Sequence, residues 1–281
     1  LNVRALPYET IPIAANPYIA GIPQRSMDDT FILPMNDEAG LAVIDQHGSD
    51  IAAVVLELKT SYGLIRTDQT YLEKPAALCK KHGILLVYDE VITGFRLALA
   101  GAQSLYGVEP DIIVYGKALG GGMPMGMLAT RRNILDPCTK QKPPLMMGGT
   151  FSGNAMCMAA CNAFLTYLLK HRNCIDVLDA RAARLSAVIN GHIARKQYPM
   201  LLHCVGSLFS LLGMAEPPER PEDMSRLNQR LQDELYLRLR LKGVMLNIIG
   251  PNGISIAHSD EILDEMAAKI IEAIDEVFAC Q

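Results

Sequence analysis

The chain has 281 residues, of which 50% are hydrophobic and 20% are charged, and its formal net charge is −4. This composition is ordinary for a globular protein, and the length allows one large or two smaller domains. The acidic balance and the lack of a Lys/Arg run argue against a nucleic-acid-binding surface. No stretch of about 18 uncharged apolar residues occurs, so the sequence predicts no membrane-spanning helix.

The cysteines and the N-terminus bear on the cellular compartment. The seven cysteines form no CxxC pair, and the six histidines show no metal-ligand spacing such as HExxH. Reduced thiols in a cytoplasmic protein are therefore favoured over a disulfide framework or a metal site. The first ten residues, LNVRALPYET, lack the apolar core of a signal peptide and do not begin with Met. We expect the chain to start within a longer protein.

The first half of the chain has an α/β pattern. Residues 1–40 are rich in Pro, Asn and Asp and predict irregular structure with one short strand at Thr30–Pro34. Helical spacing of apolar residues predicts a helix over Gln69–His82 that ends at Gly83. Short apolar runs predict three buried strands, at Ile51–Leu56, Ile84–Tyr88 and Asp111–Tyr115. Strands alternating with helical connections indicate a parallel α/β sheet.

The second half is predominantly helical. We place a domain boundary near residue 170, which gives domains of residues 1–170 and 171–281. Helical patterns predict a buried helix at Ser152–His171, a long helix at Cys174–Lys196, an amphipathic helix at Asp223–Lys242 and a last helix capped by Ser259. Strand patterns predict strands at Val205–Leu212, Val244–Ile248 and Ile254–Ala257.

Asp89 and Lys117 each follow a predicted buried strand. Ligands of open α/β sheets bind at the carboxyl edge of the strands, so the topology alone nominates these two residues. Together they suit pyridoxal phosphate, which needs an amine for its aldehyde and a carboxylate that keeps its ring nitrogen protonated. The amine must also lose its proton, and desolvation or a nearby cation lowers a lysine pKa. Taken singly, Asp89 is better explained as a turn or cap residue, and Lys117 as a surface lysine.

Two glycine-rich segments accompany this pair. Gly120–Gly122 follows Lys117 closely and would let the backbone approach a flat ligand, although a flexible turn explains it equally well. The segment Gly148–Asn154 opens a helix, where the backbone N–H groups, such as that of Gly149, and the hydroxyls of Thr150 and Ser152 could receive a phosphate. A helix N-cap by Ser152 or Asn154 is an equally natural interpretation of that segment.

A nucleotide-binding interpretation is not supported. The run ILLVYDE, at Ile84–Glu90, resembles a Walker-B strand, which requires a GxxxxGK[ST] loop upstream. The only Gly-Lys pair is Gly116-Lys117; it lies downstream and is followed by Ala118. No GxGxxG motif joins a strand to a helix, so a dinucleotide-binding fold is equally unsupported.

The segment LLVYDEVITGFRLALAGAQSLYGVEPDIIVYGKALGGGMPMG resembles the cofactor segment of class-III pyridoxal-phosphate aminotransferases. Within that class the chain is most similar to the glutamate-1-semialdehyde 2,1-aminomutase branch. Further matches to that branch are GGTFSGNAMCMAA at Gly148–Ala160, VGSLFSL at Val205–Leu211 and SIAHSDE at Ser255–Glu261. The resemblance implies a type-I aminotransferase fold, with a mostly parallel large-domain sheet and a smaller C-terminal α/β domain.

The resemblance also implies a role for individual residues. Lys117 would hold pyridoxal 5′-phosphate as a Schiff base and shuttle protons, and Asp89 would pair with the pyridinium nitrogen. Val91 would pack on one face of the ring. Thr150, with Gly149 beside it, would bind the cofactor phosphate of the partner subunit, so that a homodimer shares its active sites.

Two departures from the family pattern stand out. Leu58 replaces the proline of a Glu-Pro motif that begins at Glu57, and the loop that follows looks shortened. In the family, a phosphate-binding loop and an aromatic residue that stacks on the cofactor precede the position of residue 1. We expect an exposed sheet edge, together with obligate dimerisation or aggregation of the chain.

The expected activity is amino-group transfer on a small amino-acid-like substrate, most similar to glutamate-1-semialdehyde 2,1-aminomutase, which forms 5-aminolevulinate. A transaminase of the same branch is the first alternative. A diverged, non-catalytic homologue that keeps the fold but binds the cofactor poorly is the second.

Overall fold

A four-stranded sheet forms the first half of the fold. The computed structural model describes residues 13–14, 21, 23–248 and 250–279. The strands lie in the order β3-β4-β5-β6, in which β3 pairs parallel with β4, β4 parallel with β5, and β5 antiparallel with β6. Their bounds are Ala53–Leu56, Leu85–Glu90, Ile112–Tyr115 and Met127–Thr130 for β3 to β6. Before them, a two-residue strand β1 (Ile13–Ala14) pairs antiparallel with β2 (Phe31–Ile32).

The predicted parallel sheet is confirmed, with shifted strand ends and one missed strand. The strand β4 runs two residues beyond the predicted end at Tyr88, whereas β3 starts two residues after Ile51. The sequence did not predict the antiparallel strand β6. The predicted strand at Thr30–Pro34 is only the two-residue β2, and part of the irregular segment 1–40 lies outside the described residues.

The helix between β3 and β4 has the predicted bounds. It is α3, Gln69–His82, and it follows two helices that the sequence did not predict, α1 (Arg25–Asp28) and α2 (Glu38–Gln46). Asp68 caps α3 by accepting a hydrogen bond from the Tyr71 N–H at 2.9 Å. Gly83 ends the helix with φ 72°, a left-handed conformation in which glycine is the least strained residue.

The second half of the chain builds a three-stranded antiparallel sheet covered by helices. Its strands are β7 (Leu201–Val205), β8 (Leu208–Leu212) and β9 (Asn252–Gly253), in that order. The helices after β6 are α4 (Arg132–Lys140), α5 (Ala155–Lys170), α6 (Cys174–Lys196), α7 (Gln229–Leu241) and α8 (Asp260–Ala279). Buried side chains of α6, β7, β8, α7 and α8 form the largest apolar cluster.

The strand predicted at Val205–Leu212 is confirmed in part as β8, Leu208–Leu212, but Val205 belongs to the preceding strand β7, and the two strands form a hairpin. Gly206 adopts φ 56° in the two-residue connection and turns the chain back on itself. Gly-Ser between two apolar runs is a hairpin signal that was overlooked.

Three further predictions in this half need correction. The helix predicted at Asp223–Lys242 is split, because Asn228 starts α7 by accepting a hydrogen bond from the Leu231 N–H at 3.1 Å. A 3-10 helix at Pro221–Arg226 precedes it. The segment predicted as strand at Val244–Ile248 is irregular, although Val244 and Leu246 are buried in the core. The strand predicted at Ile254–Ala257 is wrong, because these residues form no strand and β9 ends before them at Gly253. The predicted helices α6 and α8 are confirmed.

The helix α5 has roughly the predicted bounds but is not buried. Only Cys161 and Leu168 are buried in it, whereas Met156, Tyr167 and Leu169 are exposed. The helix is apolar around most of its circumference, and the described part of this chain covers only one side of it. An apolar sequence pattern predicts a helix with an apolar surface. It does not predict which molecule covers that surface.

The two largest apolar clusters belong to different halves of the fold. One belongs to the second sheet and its helices, and the other to the parallel sheet with α3. Val205 and Leu208, at the β7–β8 turn, pack into the parallel-sheet cluster and connect the two halves. The boundary near residue 170 remains a prediction. No helix in the described part of the chain is long and apolar enough to cross a membrane.

Glu90, the last residue of β4, is fully buried and organises the loop beyond the sheet. Its Oε2 atom accepts hydrogen bonds from the Ala102 N–H at 2.6 Å and the Thr93 hydroxyl at 3.0 Å, and Oε1 accepts one from the Gln103 N–H at 2.8 Å. Burial raises the pKa of this carboxyl, and the two backbone hydrogen bonds oppose that shift. A Cβ on Gly101 would lie 2.7 Å from Oε2, so the loop needs glycine there.

Glu90→Ala should destabilise the protein by at least about 2 kcal/mol, because it leaves three buried donors without an acceptor. Urea unfolding measures this change. Glu109→Ala is the matched control, since Glu109 is 85% exposed and pairs with Arg131 across the surface; its loss should stay below about 1 kcal/mol. Equal losses in the two variants would contradict the role given to Glu90.

Candidate active site

The parallel pairing of β4 and β5 brings Asp89 and Lys117 to one edge of the sheet. In the register, Asp89 lies opposite Val114, and Glu90 lies opposite Tyr115. Lys117 follows two residues after Tyr115, so its backbone stands just beyond the strand end. Asp89 was predicted to lie past its strand but is the penultimate residue of β4. Both residues nevertheless occupy the carboxyl edge, where such sheets bind ligands.

Lys117 sits in a left-handed backbone conformation with φ 45° and begins a 3-10 turn, Lys117–Gly120. This conformation costs a non-glycine residue about 1–2 kcal/mol, so the surrounding packing must hold it. The helix α5 packs on that turn so closely that a Cβ on Gly121 would lie 3.0 Å from the Ala160 carbonyl oxygen. The first part of the glycine run thus serves close backbone packing. The strain at Lys117 is typical of a functional position.

Val91 connects the two charged residues. Its N–H donates a hydrogen bond to Asp89 Oδ1 at 3.0 Å, which fixes the carboxylate. Its Cγ1 atom lies 3.3 Å from where a Cβ on Gly116 would be, directly before Lys117. Asp89 Oδ2 forms no hydrogen bond within the described ranges and is free to accept one.

The charges of Arg96, Asp89 and Glu57 act on the pKa of Lys117 at this edge. Desolvation and then the Arg96 guanidinium lower the pKa of Lys117, and the opposing pull of Asp89 and Glu57 is smaller. The direction matches the sequence-based expectation for a lysine that must release its proton.

Glu57 follows β3 and faces the same group of charges. Desolvation is the main cause that raises the pKa of Glu57, and the negative charge of Asp89 adds to the shift. The Ser61 N–H, which donates to Glu57 Oε2 at 2.5 Å, acts in the opposite direction. Sequence comparison pointed to Glu57 through its motif but assigned it no role, and nothing in the sequence pointed to Arg96.

An apolar cavity of about 540 Å³ opens beside the Lys117 turn. Phe95, Arg96 and Ala118 line it on the side of the parallel sheet, and Ser207 and Ile254 line it on the side of the second sheet. Arg96 forms no ion pair with the described residues, and desolvation lowers its pKa. A cavity of this size, with one guanidinium in an apolar wall, suits a small molecule that carries a carboxylate.

Gly149 and Thr150 lie on an exposed segment before α5. The Gly149 N–H donates to Ser152 Oγ at 2.8 Å, so this group is already used inside the turn. Asn154 caps α5 by accepting hydrogen bonds from the N–H groups of Met156 and Cys157 at 3.1 and 3.2 Å. The structure joins neither Gly149 nor Thr150 to Asp89 or Lys117 by a hydrogen bond.

Residues 9–278 match the profile of the Aminotransferase class-III family. The glutamate-1-semialdehyde 2,1-aminomutase of Bdellovibrio bacteriovorus is 36% identical over 264 residues, which cover 91% of this chain and 61% of that relative. An omega-transaminase from Sphaerobacter thermophilus has a similar structure, with a TM-score of 0.86 and 25% identity over 94% of this chain and 61% of that one.

A transaminase solved with pyridoxal phosphate bound is also similar, with a TM-score of 0.81 and 26% identity over 93% of this chain and 61% of that one. The chain thus spans about three-fifths of the length of each of these proteins. The parallel sheet, the Asp89–Lys117 edge and the family profile agree, and the chain belongs to the class-III aminotransferase family.

Proposed function

We propose that this chain binds pyridoxal phosphate and transfers an amino group in the manner of a glutamate-1-semialdehyde 2,1-aminomutase. The observation that carries the proposal is the placement of Asp89 and Lys117 at one sheet edge, with Val91 between them. The sequence relative supports the aminomutase reaction. When bound, the cofactor supplies an aldehyde for amines and a ring that accepts electron density from the substrate carbon.

Asp89 is suited to hold the cofactor's ring nitrogen in its protonated form. Its Oδ1 is fixed by the Val91 N–H, which leaves Oδ2 to accept a hydrogen bond from that nitrogen. The side chain of Val91 lies between this carboxylate and the backbone at Gly116, and it offers an apolar surface to one face of a flat ring.

Lys117 is suited to hold the cofactor and to move protons at its Nζ atom. Because desolvation and Arg96 lower its pKa, a larger fraction of the amine is neutral at neutral pH than for a free lysine. Glu57, whose pKa is raised mainly by desolvation, lies at the same edge and offers a carboxyl group for a hydrogen bond with the cofactor's hydroxyl. Arg96, in the wall of the apolar cavity, offers a cation for the carboxylate of an amino-acid-like substrate.

Gly149 and Thr150 are proposed to bind the cofactor phosphate of a partner subunit. They are exposed on this chain, and so are the large apolar side chains around them. The exposed apolar side chains of this surface, which we call the α5 surface, are Leu145, Met146, Met147, Phe151, Met156, Met158, Tyr167 and Leu169. Many exposed apolar side chains in one segment of the chain are typical of a contact with another protein, and we propose a homodimer formed through them.

A transaminase is the second candidate function. The omega-transaminase has the higher TM-score of the two reported structures, and Leu58 departs from the family's Glu-Pro motif beside the site. A cytoplasmic location remains a prediction from the sequence.

Lys117→Ala should abolish the visible absorbance band that forms when pyridoxal phosphate is added to the chain, because the alanine has no amine for the cofactor. Borohydride reduction followed by peptide mapping should attach the cofactor to the Lys117 peptide in the wild type. Lys80→Ala, which removes an exposed lysine of α3, is the matched control and should keep the band. A folded wild-type chain without the band would contradict the proposal and favour the interpretation that the chain is a non-catalytic homologue.

Glutamate 1-semialdehyde given as the sole substrate should yield 5-aminolevulinate, measured by colorimetric assay or mass spectrometry. An aminomutase returns the amino group to the same molecule, so no separate keto acid is needed. Turnover that requires both an added amino donor and an added keto acid would instead establish the transaminase. Lys117→Ala is the inactive control for both reactions.

Met156→Glu should weaken the dimer at least tenfold, because it places a charge in the proposed apolar interface. Sedimentation over a range of concentrations measures the dissociation constant. Leu241→Glu is the matched control, since Leu241 is 80% exposed, against 70% for Met156, but lies at the end of α7, outside the α5 surface. A monomeric wild type, or equal weakening by both substitutions, would contradict the proposed interface.

A further inference from the structure

Lys59 is a buried lysine outside the site described above. Only 5% of it is exposed, and its Nζ atom has no hydrogen-bond partner among the described residues. Its position comes from a short antiparallel pairing in which Lys59 lies opposite Arg66, with the Thr60 N–H donating to the Ile65 carbonyl at 3.0 Å and the Thr67 N–H to the Leu58 carbonyl at 3.1 Å. This pairing places two basic side chains opposite each other. An unpaired buried ammonium is costly, so the arrangement favours the neutral amine.

Lys59 lines a cleft of about 730 Å³ between the two halves of the fold, and its Nζ atom is buried in the wall of that cleft. The other titratable side chains that line the cleft are Arg66, Asp68, Tyr106, Asp179, His203 and Glu219. The carboxylates among them do not reach the Lys59 amine, since Nζ has no partner. The carboxylate of Asp68 is held by the Thr70 hydroxyl at 2.5 Å and the Tyr71 N–H at 2.9 Å at the start of α3.

Burial and one neighbouring positive charge favour the neutral form of the amine. Desolvation and then the charge of Arg66 lower the pKa of Lys59 to about 6. Desolvation also lowers the pKa of His203, and the charges of Lys59 and Arg66 add to that shift. At pH 7 roughly nine-tenths of an amine with such a pKa is neutral, against about one part in 2,500 for an ordinary lysine.

We propose that Lys59 is a second reactive amine of this chain, which forms an imine with a small aldehyde that carries a carboxylate. The neutral amine adds to the carbonyl carbon, forming the C–N bond, and the carbonyl oxygen leaves as water with the two amine protons. No oxidant or metal is needed. The guanidinium of Arg66 supplies positive charge for the carboxylate of the aldehyde. The proposal does not depend on the proposed function, because it concerns a different lysine and a different cleft.

Reductive labelling of the chain with glyoxylate and cyanoborohydride tests this, with peptide mapping to separate Lys59 from Lys117. The rate at Lys59 should be half-maximal near pH 6 and exceed the rate at the exposed Lys80 by at least about tenfold at pH 7. The rate at Lys80 should rise continuously through pH 9. In denaturant the two lysines should react alike, and Lys59→Met should remove only the Lys59 label.

Two results would overturn the proposal. The first is a labelling rate at Lys59 that has the same pH dependence as the rate at Lys80. A folded chain in which Lys80 is labelled and Lys59 is not would have the same meaning. The second concerns the carboxylate, and is tested with glycolaldehyde, a neutral aldehyde of similar size. Glyoxylate should label Lys59 several-fold faster than glycolaldehyde does once each rate is divided by that at Lys80. Equal ratios would exclude recognition of the carboxylate.

Discussion

The parallel pairing of β4 with β5 is the constraint on which the candidate site depends. Parallel strands place their carboxyl ends at the same edge, so residues 28 positions apart in the chain meet there. Asp89 lies within the ladder, opposite Val114, and Lys117 lies just beyond its end. Glu90 then uses its buried carboxylate to tie the following loop back to the strand end. A slip of one residue in this register would turn Asp89 to the other face of the sheet and move Glu90 out of its buried position.

Much of this edge was predictable from the sequence because its signals are local. An apolar run ended by Asp-Glu, another ended by Gly-Lys, and a helix between Asp68 and Gly83 each predict an element from its own residues. The elements that sequence reasoning missed depend on pairing or covering by distant parts of the chain. The strand β6 is defined by its antiparallel ladder with β5, and Arg96 acquires its influence on Lys117 only through folding.

The burial of apolar residues is likewise not predictable from a local sequence pattern, because it depends on what covers them. The pattern of α5 correctly predicted a helix, but its exposed face is not covered by the residues that the structure describes. The outer strands of the parallel sheet have the same character, since Val55 on β3 is 64% exposed and Leu128 on β6 is 54% exposed. Apolar side chains on open sheet edges are an association hazard unless something covers them. The described fold therefore presents two kinds of uncovered apolar surface, the α5 surface beside the proposed phosphate residues and the two edges of the sheet.

The pKa values of Lys59 and Lys117 are lowered by the same two physical causes. In both, desolvation is the main cause of a lowered pKa, and an arginine adds to it, Arg66 for Lys59 and Arg96 for Lys117. They differ in the opposing charges. The charges of Asp89 and Glu57 favour the ammonium form of Lys117, whereas no carboxylate among the described residues opposes the shift at Lys59, whose pKa falls to about 6. The carboxylates that moderate Lys117 are the groups proposed to bind the ring nitrogen and the hydroxyl of a cofactor. The same two carboxylates would thus both favour the protonated form of Lys117 and bind the cofactor. Without such carboxylates, the neutral amine of Lys59 would act only as a nucleophile.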